Sequence, residues 1–404
     1  MPAGVQRTLH VAALPFPSPQ GTQAAIDAML RALARAGRDP HLLSYAAGVP
    51  RPSPPYTVHC GPTWTPASSL RSGPSLHKVL ADLVLASQLR RPSFLAAGSK
   101  PALASSPPLV IAHHVEAALL TWRTHPAIFF AHTDLREELP TYAPAPLRRV
   151  LGCAGGALDR TLVQHAAAVA TVSPLLGERM AALAGPRAAR VHYVPIPWSL
   201  PPPITPEERA RARARFARSA GTRLVAYLGN LDGYQGWEAL IAALAQLNRR
   251  SPVQLLVATA SDPAPLWHEA RCAGLEGRVT VVPLAGEATR RAVHAAAELV
   301  VIPRRAPGGL PIKLLDGLAR GVPCVLAASA RAGLPLAHAA EVARGDDAAA
   351  LAVAIDTVLA NPAHASWLRA AGRAYIATDH SDAAFSNAFD HTCSLALAAP
   401  PRSR

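Results

Sequence analysis

Short apolar runs alternate with amphipathic stretches along almost the whole chain. Residues 8–14, TLHVAAL, read as a strand, and after PFPSPQGT the stretch 24–37 places Ile26, Met29, Leu30 and Leu33 at helical spacing before Gly37 closes it. HLLSY (41–45) predicts the next strand. The same order recurs with HKVLADLVLASQLRR as helix, PLVIAH (108–113) as strand, VEAALLTWR as helix and AIFFAH (127–132) as strand. It continues with helix 146–166, strand 168–173, helix 174–185 and strand VHYVP. Strands that alternate with helices predict βαβ units, hence a parallel sheet covered on both faces.

At 195–203 the text becomes PIPWSLPPP, which no regular element tolerates, and RARARARF follows as a charged helix. Alternation then restarts with strands at 223–229, 253–259, 278–282, 299–303 and PCVLAA, and with intervening helices that end in two near 346–359 and 363–377. The expected fold class is α/β with two doubly wound, Rossmann-like parallel-sheet domains. The expected divisions are 1–198, 199–380 and a C-terminal segment, 381–404, that returns to the first domain. Ligands of such sheets sit at the carboxyl ends of strands, so a cleft faced by both domains is the expected site.

Composition narrows the classes. With 404 residues, 50% hydrophobic and 16% charged, the chain has the apolar material for packed cores and is neither disordered nor fibrous. The five cysteines are scattered without CxxC or CxH spacing, which predicts free thiols in a reducing compartment and no structural zinc. Pro15 and Pro17 interrupt any signal-peptide core, and no apolar run reaches the ~18 to 20 residues of a membrane span. A cytoplasmic protein is expected. Lys+Arg minus Asp+Glu is 40 − 26 = +14, and the first 200 residues contribute 18 − 9 = +9 of it. An anionic membrane surface or a phosphorylated substrate would account for such an excess, and so would a general compositional bias, since Ala, Arg and Pro abound. Nucleic acid does not fit, because aromatic and basic residues are not interleaved and no nucleic-acid motif occurs. Arginine dominates the cations, and only Lys78, Lys100 and Lys313 are lysines.

The most specific stretch is PRRAPGGLPIKLLDGLARGVPCV, 303–325, in which a strand ends, a glycine turn follows and a helix begins. Glycines let a diphosphate approach the backbone, and a helix start offers unpaired N–H groups to an anion. Lys313 stands in the first turn, where the helix dipole favours an acid, so a cation there points to an anionic ligand. Asp316, one turn on, suits ribose hydroxyls. The alternative is an exposed Lys–Asp pair on a surface helix. Gln20, Gly21 and Thr22 form a strand-to-helix turn that either faces a phosphate or is an ordinary βα turn. His113, His114 and His132 close two strands, but their spacing lacks a metal-ligand pattern, so no metal is expected. No GxGxxG, P-loop, HExxH or GxSxG word occurs.

Pro303, Gly309, Pro311, Asp316, Ala319, Gly321, Pro323 and Val325, with YLGNLDGYQGWEALIAAL (227–244), HVAALPFPSPQGTQAAI and IFFAHTDLREELP, resemble the retaining nucleotide-sugar glycosyltransferases of the GT-B fold, family 4 group. The resemblance implies transfer of a sugar from a nucleotide diphosphate to a hydroxyl with retained configuration and no cofactor beyond the nucleotide-sugar co-substrate. The implied acceptors are a glycan, a lipid-linked saccharide or a small molecule. It implies His132, Lys313 and Arg304 as catalytic residues. Gly21, Thr22, Asn230, Gln235, Gly309, Leu310 and Asp316 are then donor-binding. The chain departs from the pattern at Gly308, where the family has Glu, at Asp316, where it has Glu, and at Asn230 and Gln235, where it has Arg and Lys. The departures at Gly308, Asn230 and Gln235 support a second reading, a non-catalytic relative that binds and partners a glycan-assembly enzyme. Residues 71–91 add a reversible anionic-membrane contact. There an apolar face of Leu76, Val79, Leu80, Leu83, Val84 and Leu85 is expected to pack into the core, beside Arg71, Lys78, Arg90 and Arg91.

Overall fold

The computed structural model describes residues 7–17, 20–45, 54–60, 76–89, 108–122, 127–219, 221–249, 252–306, 309–336 and 338–399, with the backbone alone at 76 and 77. Gly308, Arg71, Arg90, Arg91 and Lys100 lie outside these residues. The chain divides into two compact units, Met1–Pro197 with Asp382–Arg404, and Trp198–Ser381.

The first unit runs β1 (Arg7–Pro15), α1 (Gly21–Arg35), β2 (Asp39–Tyr45), β3 (Thr57–Cys60), α2 (Leu76–Leu89), β4 (Leu109–His113), α3 (His114–Thr121) and β5 (Ala127–Ala131). Short α4 (Leu135–Glu138), α5 (Arg148–His165), β6 (Ala168–Thr171), α6 (Pro174–Ala184) and β7 (Val191–Tyr193) follow. Its seven strands are all parallel in the order β3-β2-β1-β4-β5-β6-β7. The order reverses direction between β1 and β4, the place where loops at the carboxyl edge part and leave room for a ligand. Burial on both faces explains the unbroken apolar strands: Leu9, Val11, Ala12, Val110, Ile111, Ile128 and Phe130 are all buried.

The second unit contains α7 (Pro206–Phe216), β8 (Arg223–Leu228), α8 (Trp237–Leu247), β9 (Val253–Thr259), α9 (Ala264–Cys272), β10 (Val279–Pro283), α10 (Glu287–Ala296) and β11 (Leu299–Ile302). It continues through α11 (Ile312–Ala319), β12 (Cys324–Leu326), β13 (Glu341–Val342), α12 (Ala348–Ala360) and α13 (Pro362–Asp379). Its six parallel strands are ordered β10-β9-β8-β11-β12-β13, with the reversal between β8 and β11. The charged helix α7 starts in a full capping box. The Thr205 hydroxyl accepts from Glu208 N, and the Glu208 carboxylate accepts from Thr205 N.

The last helix, α14 (Asp382–Leu397), packs on β5, β6, β7 and α1 of the first unit. Phe385 and Phe389 are fully buried, and paired ion bridges fix the outer face: Arg35 to Asp382 at 2.7 and 2.8 Å, Arg38 to Asp390 at 2.6 Å twice. Where the chain crosses between units, Trp198 N donates to His380 O at 2.8 Å.

Helix α2 differs from expectation. Leu85 is buried and Val84 half-buried, but Val79, Leu80 and Leu83 are 55, 60 and 62% exposed. The apolar residues ring too much of this helix for one contact face to cover, so one stripe packs and the other is left outward. Among the described residues no single helix is long and apolar enough to cross a membrane.

Candidate active site

In the second unit the loops after β8 and β11 emerge side by side at the switch point, and they carry Asn230, Gln235, Arg304, Gly309 and Leu310 of the residues singled out by sequence. Lys313, at the second position of α11, extends back to the β8 loop. Its Nζ donates to Gln235 Oε1 at 2.8 Å and to the Tyr227 hydroxyl at 3.3 Å, and it lies 4.3 Å from the centre of the Tyr227 ring. Two of three ammonium hydrogens are thus placed, which leaves one for a ligand. The close approach needs Gly229, whose φ is +144°; a Cβ there would lie 2.7 Å from the ammonium. Burial, and then the Arg304 charge, lower the Lys313 pKa to about 7, with Asp232 opposing. Tyr227 is buried, and that burial raises its phenol pKa.

Gln235 stands where the resemblance led us to expect a lysine, and its amide oxygen holds the lysine that arrives from α11. Asn230 is turned inward on its own loop: its side-chain amide donates to Asp232, while its carbonyl accepts from Tyr227. Gly236, with φ +68°, starts α8, and its backbone lies so close to β11 that a Cβ would fall 2.0 Å from Pro303 O. Arg304 donates to Gly309 O at 3.2 Å and lies 5.7 Å over the Tyr234 ring. It closes the glycine turn from which Leu310, buried, and Pro311 lead into α11. No acid occupies the first turn of α11.

Asp316 has partners other than the ribose expected for it. Its carboxylate accepts from Arg320 Nε at 2.9 Å, and Arg290 Nε and His294 Nε2 lie at 3.7 and 3.9 Å. Arg320 in turn reaches Glu287 at 2.7 Å. Asp316 and Arg320 are 7 and 5% exposed, so a buried ion pair, with Glu287 at its exposed end, fastens α11 to α10. Removing one partner of such a pair strands the other charge. We expect Asp316→Ala to lower stability by about 2 kcal/mol or more and to weaken ribose and 2′-deoxyribose donors equally. Thermal unfolding with both donor types checks this, and a loss confined to the ribose donor would return Asp316 to the ligand.

In the first unit the predicted residues share the carboxyl edge of the sheet. Gly21 and Thr22 begin α1, Gln20 makes no capping side-chain bond, and the first turn holds no acid, so its N–H groups and dipole suit an anion. His132 follows β5, two strands away, and is 5% exposed. Its Nε2 meets His113 Nδ1 at 2.9 Å, and its ring stacks on His114 at 4.7 Å between centroids. His114 has φ +66°, a strained conformation for a residue with a side chain. His10, which sequence reading passed over, joins this group through His113. Only its place on the first strand was visible beforehand; that this strand lies beside β4 comes from the sheet order. Among the described residues no three His, Cys, Asp or Glu side chains converge as metal ligands.

Residues 20–197 match the family described as "Glycosyl transferase 4-like domain", and 222–361 match "Glycosyl transferases group 1". A GDP-mannose-dependent alpha-(1-6)-phosphatidylinositol monomannoside mannosyltransferase of Mycolicibacterium smegmatis is 31% identical over 230 residues, 53% of this chain and 58% of that protein. A D-inositol 3-phosphate glycosyltransferase of Segniliparus rotundus is 30% identical over 143 residues, 34% of this chain and 31% of that protein. The matches therefore span little more than half of the first relative and under a third of the second. Among solved structures, sucrose-phosphate synthase from Thermosynechococcus elongatus superposes with a TM-score of 0.74 at 18% identity, covering 98% of this chain and 100% of that one. Anabaena HepE in complex with UDP and glucose gives 0.72 at 16% identity, covering 96 and 99%. These likenesses establish the fold. The chain thus carries a glycosyl transferase 4-like domain followed by a glycosyl transferases group 1 domain, on two all-parallel sheets of the GT-B fold.

Proposed function

We propose that the protein transfers a sugar from a nucleotide-diphosphate carrier to an acceptor hydroxyl, with the anomeric configuration retained. The observation that carries this reading is Lys313, a lysine held by Gln235 and Tyr227 at the β8–β11 switch point with one hydrogen left for a ligand. The relative from M. smegmatis is named for a GDP-mannose donor and the HepE structure holds UDP, which supports a nucleoside diphosphate here.

In the proposed reaction the bond between the anomeric carbon and the diphosphate oxygen breaks and its electron pair leaves with the diphosphate. The growing negative charge is compensated by Lys313, Arg304 and the N-terminus of α11. The acceptor oxygen forms the new bond on the face the phosphate leaves, and its proton passes to that phosphate. His132 orients the sugar. Gly309 and Leu310 bring the backbone close to the phosphates.

The reading of a non-catalytic partner rested on Gly308, which lies outside the described residues, and on the loss of cationic side chains at 230 and 235, where Lys313 places a cation beside Gln235. Incubation with a panel of UDP-, GDP- and ADP-sugars, read by nucleoside diphosphate release, separates the two. Release with at least one donor is expected, and binding without release across the panel would favour the partner role.

The acceptor is proposed to lie at a membrane surface. Val79, Leu80 and Leu83 point outward from α2 in the unit that carries +9 of the charge, with Lys78 beside them. Sedimentation with anionic vesicles at low salt should capture the protein, while neutral vesicles or high salt should release it. At about 1 kcal/mol per basic residue near the surface, a few such residues suffice. Equal partitioning in all arms removes the electrostatic contact.

A further inference from the structure

Behind His132 lies a row of imidazoles for which the proposed reaction has assigned no task. Ala12 pairs with His113 and His113 with Phe130 across β1, β4 and β5, so His10, His113 and His132 project from one face of the sheet. His10 Nδ1 lies 2.9 Å from His113 Nε2, and His113 Nδ1 lies 2.9 Å from His132 Nε2. His10 and His113 are fully buried, and Phe389 of α14 stacks over His10 with centroids 6.2 Å apart. Burial holds all three far on the neutral side, His10 at about 3.

A neutral imidazole has one N–H and one bare nitrogen, so each of the two contacts contains one proton and the row has only two ordered states. In the first, every Nδ1 carries hydrogen: His10 donates to His113, His113 donates to His132, and the row ends in an N–H at His132 Nδ1. In the second every bond is reversed and an N–H is left on His10 Nε2. That atom is buried with no hydrogen-bond partner among the described residues. A stranded N–H is the costlier defect, since buried donors without partners are rarer than under-used acceptors. The first state is therefore favoured. Among the described residues His132 Nδ1 has no partner, so its hydrogen is available to a ligand.

We propose that His10 and His113 are positioning residues that fix His132 as the Nδ1–H tautomer, so that it meets the donor sugar as a hydrogen-bond donor to an oxygen. This rests on the reading above that His132 contacts the sugar. The direction of the row is set at the end buried under α14, two side chains from the ligand.

The test uses the full chain labelled with [15N]histidine, in which long-range 15N–1H correlation distinguishes N–H from bare ring nitrogens. Single variants assign the relevant signals among the 16 histidines. Wild type should show Nδ1–H at His10, His113 and His132; an Nε2–H or doubly protonated His132 overturns the proposal. His113→Phe keeps a ring in the stack but no hydrogen bond. It should free His132 to adopt Nε2–H and lower turnover of the donor about tenfold, with KM little changed. His113→Asn places an amide N–H near the lost Nδ1–H and should rescue both readouts. His132 remaining Nδ1–H in His113→Phe, or turnover unaffected by its loss, overturns the positioning role. If His113→Phe fails to fold, the wild-type spectrum and His113→Asn still decide the tautomer. Wild-type turnover in His132→Ala, beside the expected spectrum, would instead remove the sugar contact and with it the purpose of the row.

Discussion

Lys313→Ala is expected to reduce donor turnover at least about tenfold, and by more if the missing charge acts chiefly in the transition state. Arg304 shares the compensation but already donates to Gly309 O, and the residues at 230 and 235 are amides, so the loss of the ammonium is only partly covered. The same lysine sets a pH dependence. In the free protein its pKa is lowered to about 7, by burial first and Arg304 second. A bound diphosphate favours the charged form and raises the pKa, so donor binding above pH 7 takes up a proton. The donor KM should therefore stay level with respect to this group below pH 7. Above pH 7 it should rise by up to about tenfold per pH unit until the pKa of the complex is reached. Kinetics across pH 6 to 9 check this, and Lys313→Ala should flatten the rise as well as lower the rate. Wild-type kinetics in the variant would take Lys313 out of the site.

The largest expected effect on stability comes from Gly236→Ala. Its φ of +68° disfavours a side chain, and the added Cβ would lie 2.0 Å from Pro303 O, a backbone atom at the end of β11 that cannot turn aside. Either the start of α8 or the strand end must move. We expect a loss of about 3 kcal/mol or more, which for a unit of this size lowers the unfolding temperature by about 6 to 12 °C. Gln235 is the next residue, so its grip on Lys313 should loosen too, and donor KM should rise in protein that remains folded. An unfolding temperature within a degree of wild type would show that the β8 and β11 loops are less tightly joined than the structure indicates.

The alternation of apolar runs and amphipathic stretches made most of the fold legible, because strands buried on both faces need unbroken apolar runs and their crossover helices need one apolar stripe. What escaped was short or unusual in period. Thr57–Cys60 and Glu341–Val342 are edge strands of four and two residues, too short to show a pattern. α14 was foreseen as a returning segment but not as a helix, since its apolar positions are diluted by Ala, Ser and Asp. At the site, the Gly-rich turn and Lys313 were visible as local words. The Lys313–Gln235 contact was not, because 78 residues separate the partners. The ion partners of Asp316 escaped for a similar reason: Arg290 and Arg320 reach it from α10 and from the following turn of its own helix. The imidazole row is distributed over three strands, and only the sheet order makes neighbours of its members.

The return of α14 to the first unit also bears on synthesis. Domains generally fold as units while the chain is made, N-terminal part first. Here the second unit, Trp198–Ser381, can close on the ribosome while the first still lacks its last helix. Until Asp382–Leu397 emerges, the strand face that bears His10 has no Phe389 over it, and Arg35 and Arg38 have no Asp382 and Asp390. The half of the protein translated first is thus the half completed last. A truncation or fusion that disturbs α14 should be felt in the first sheet.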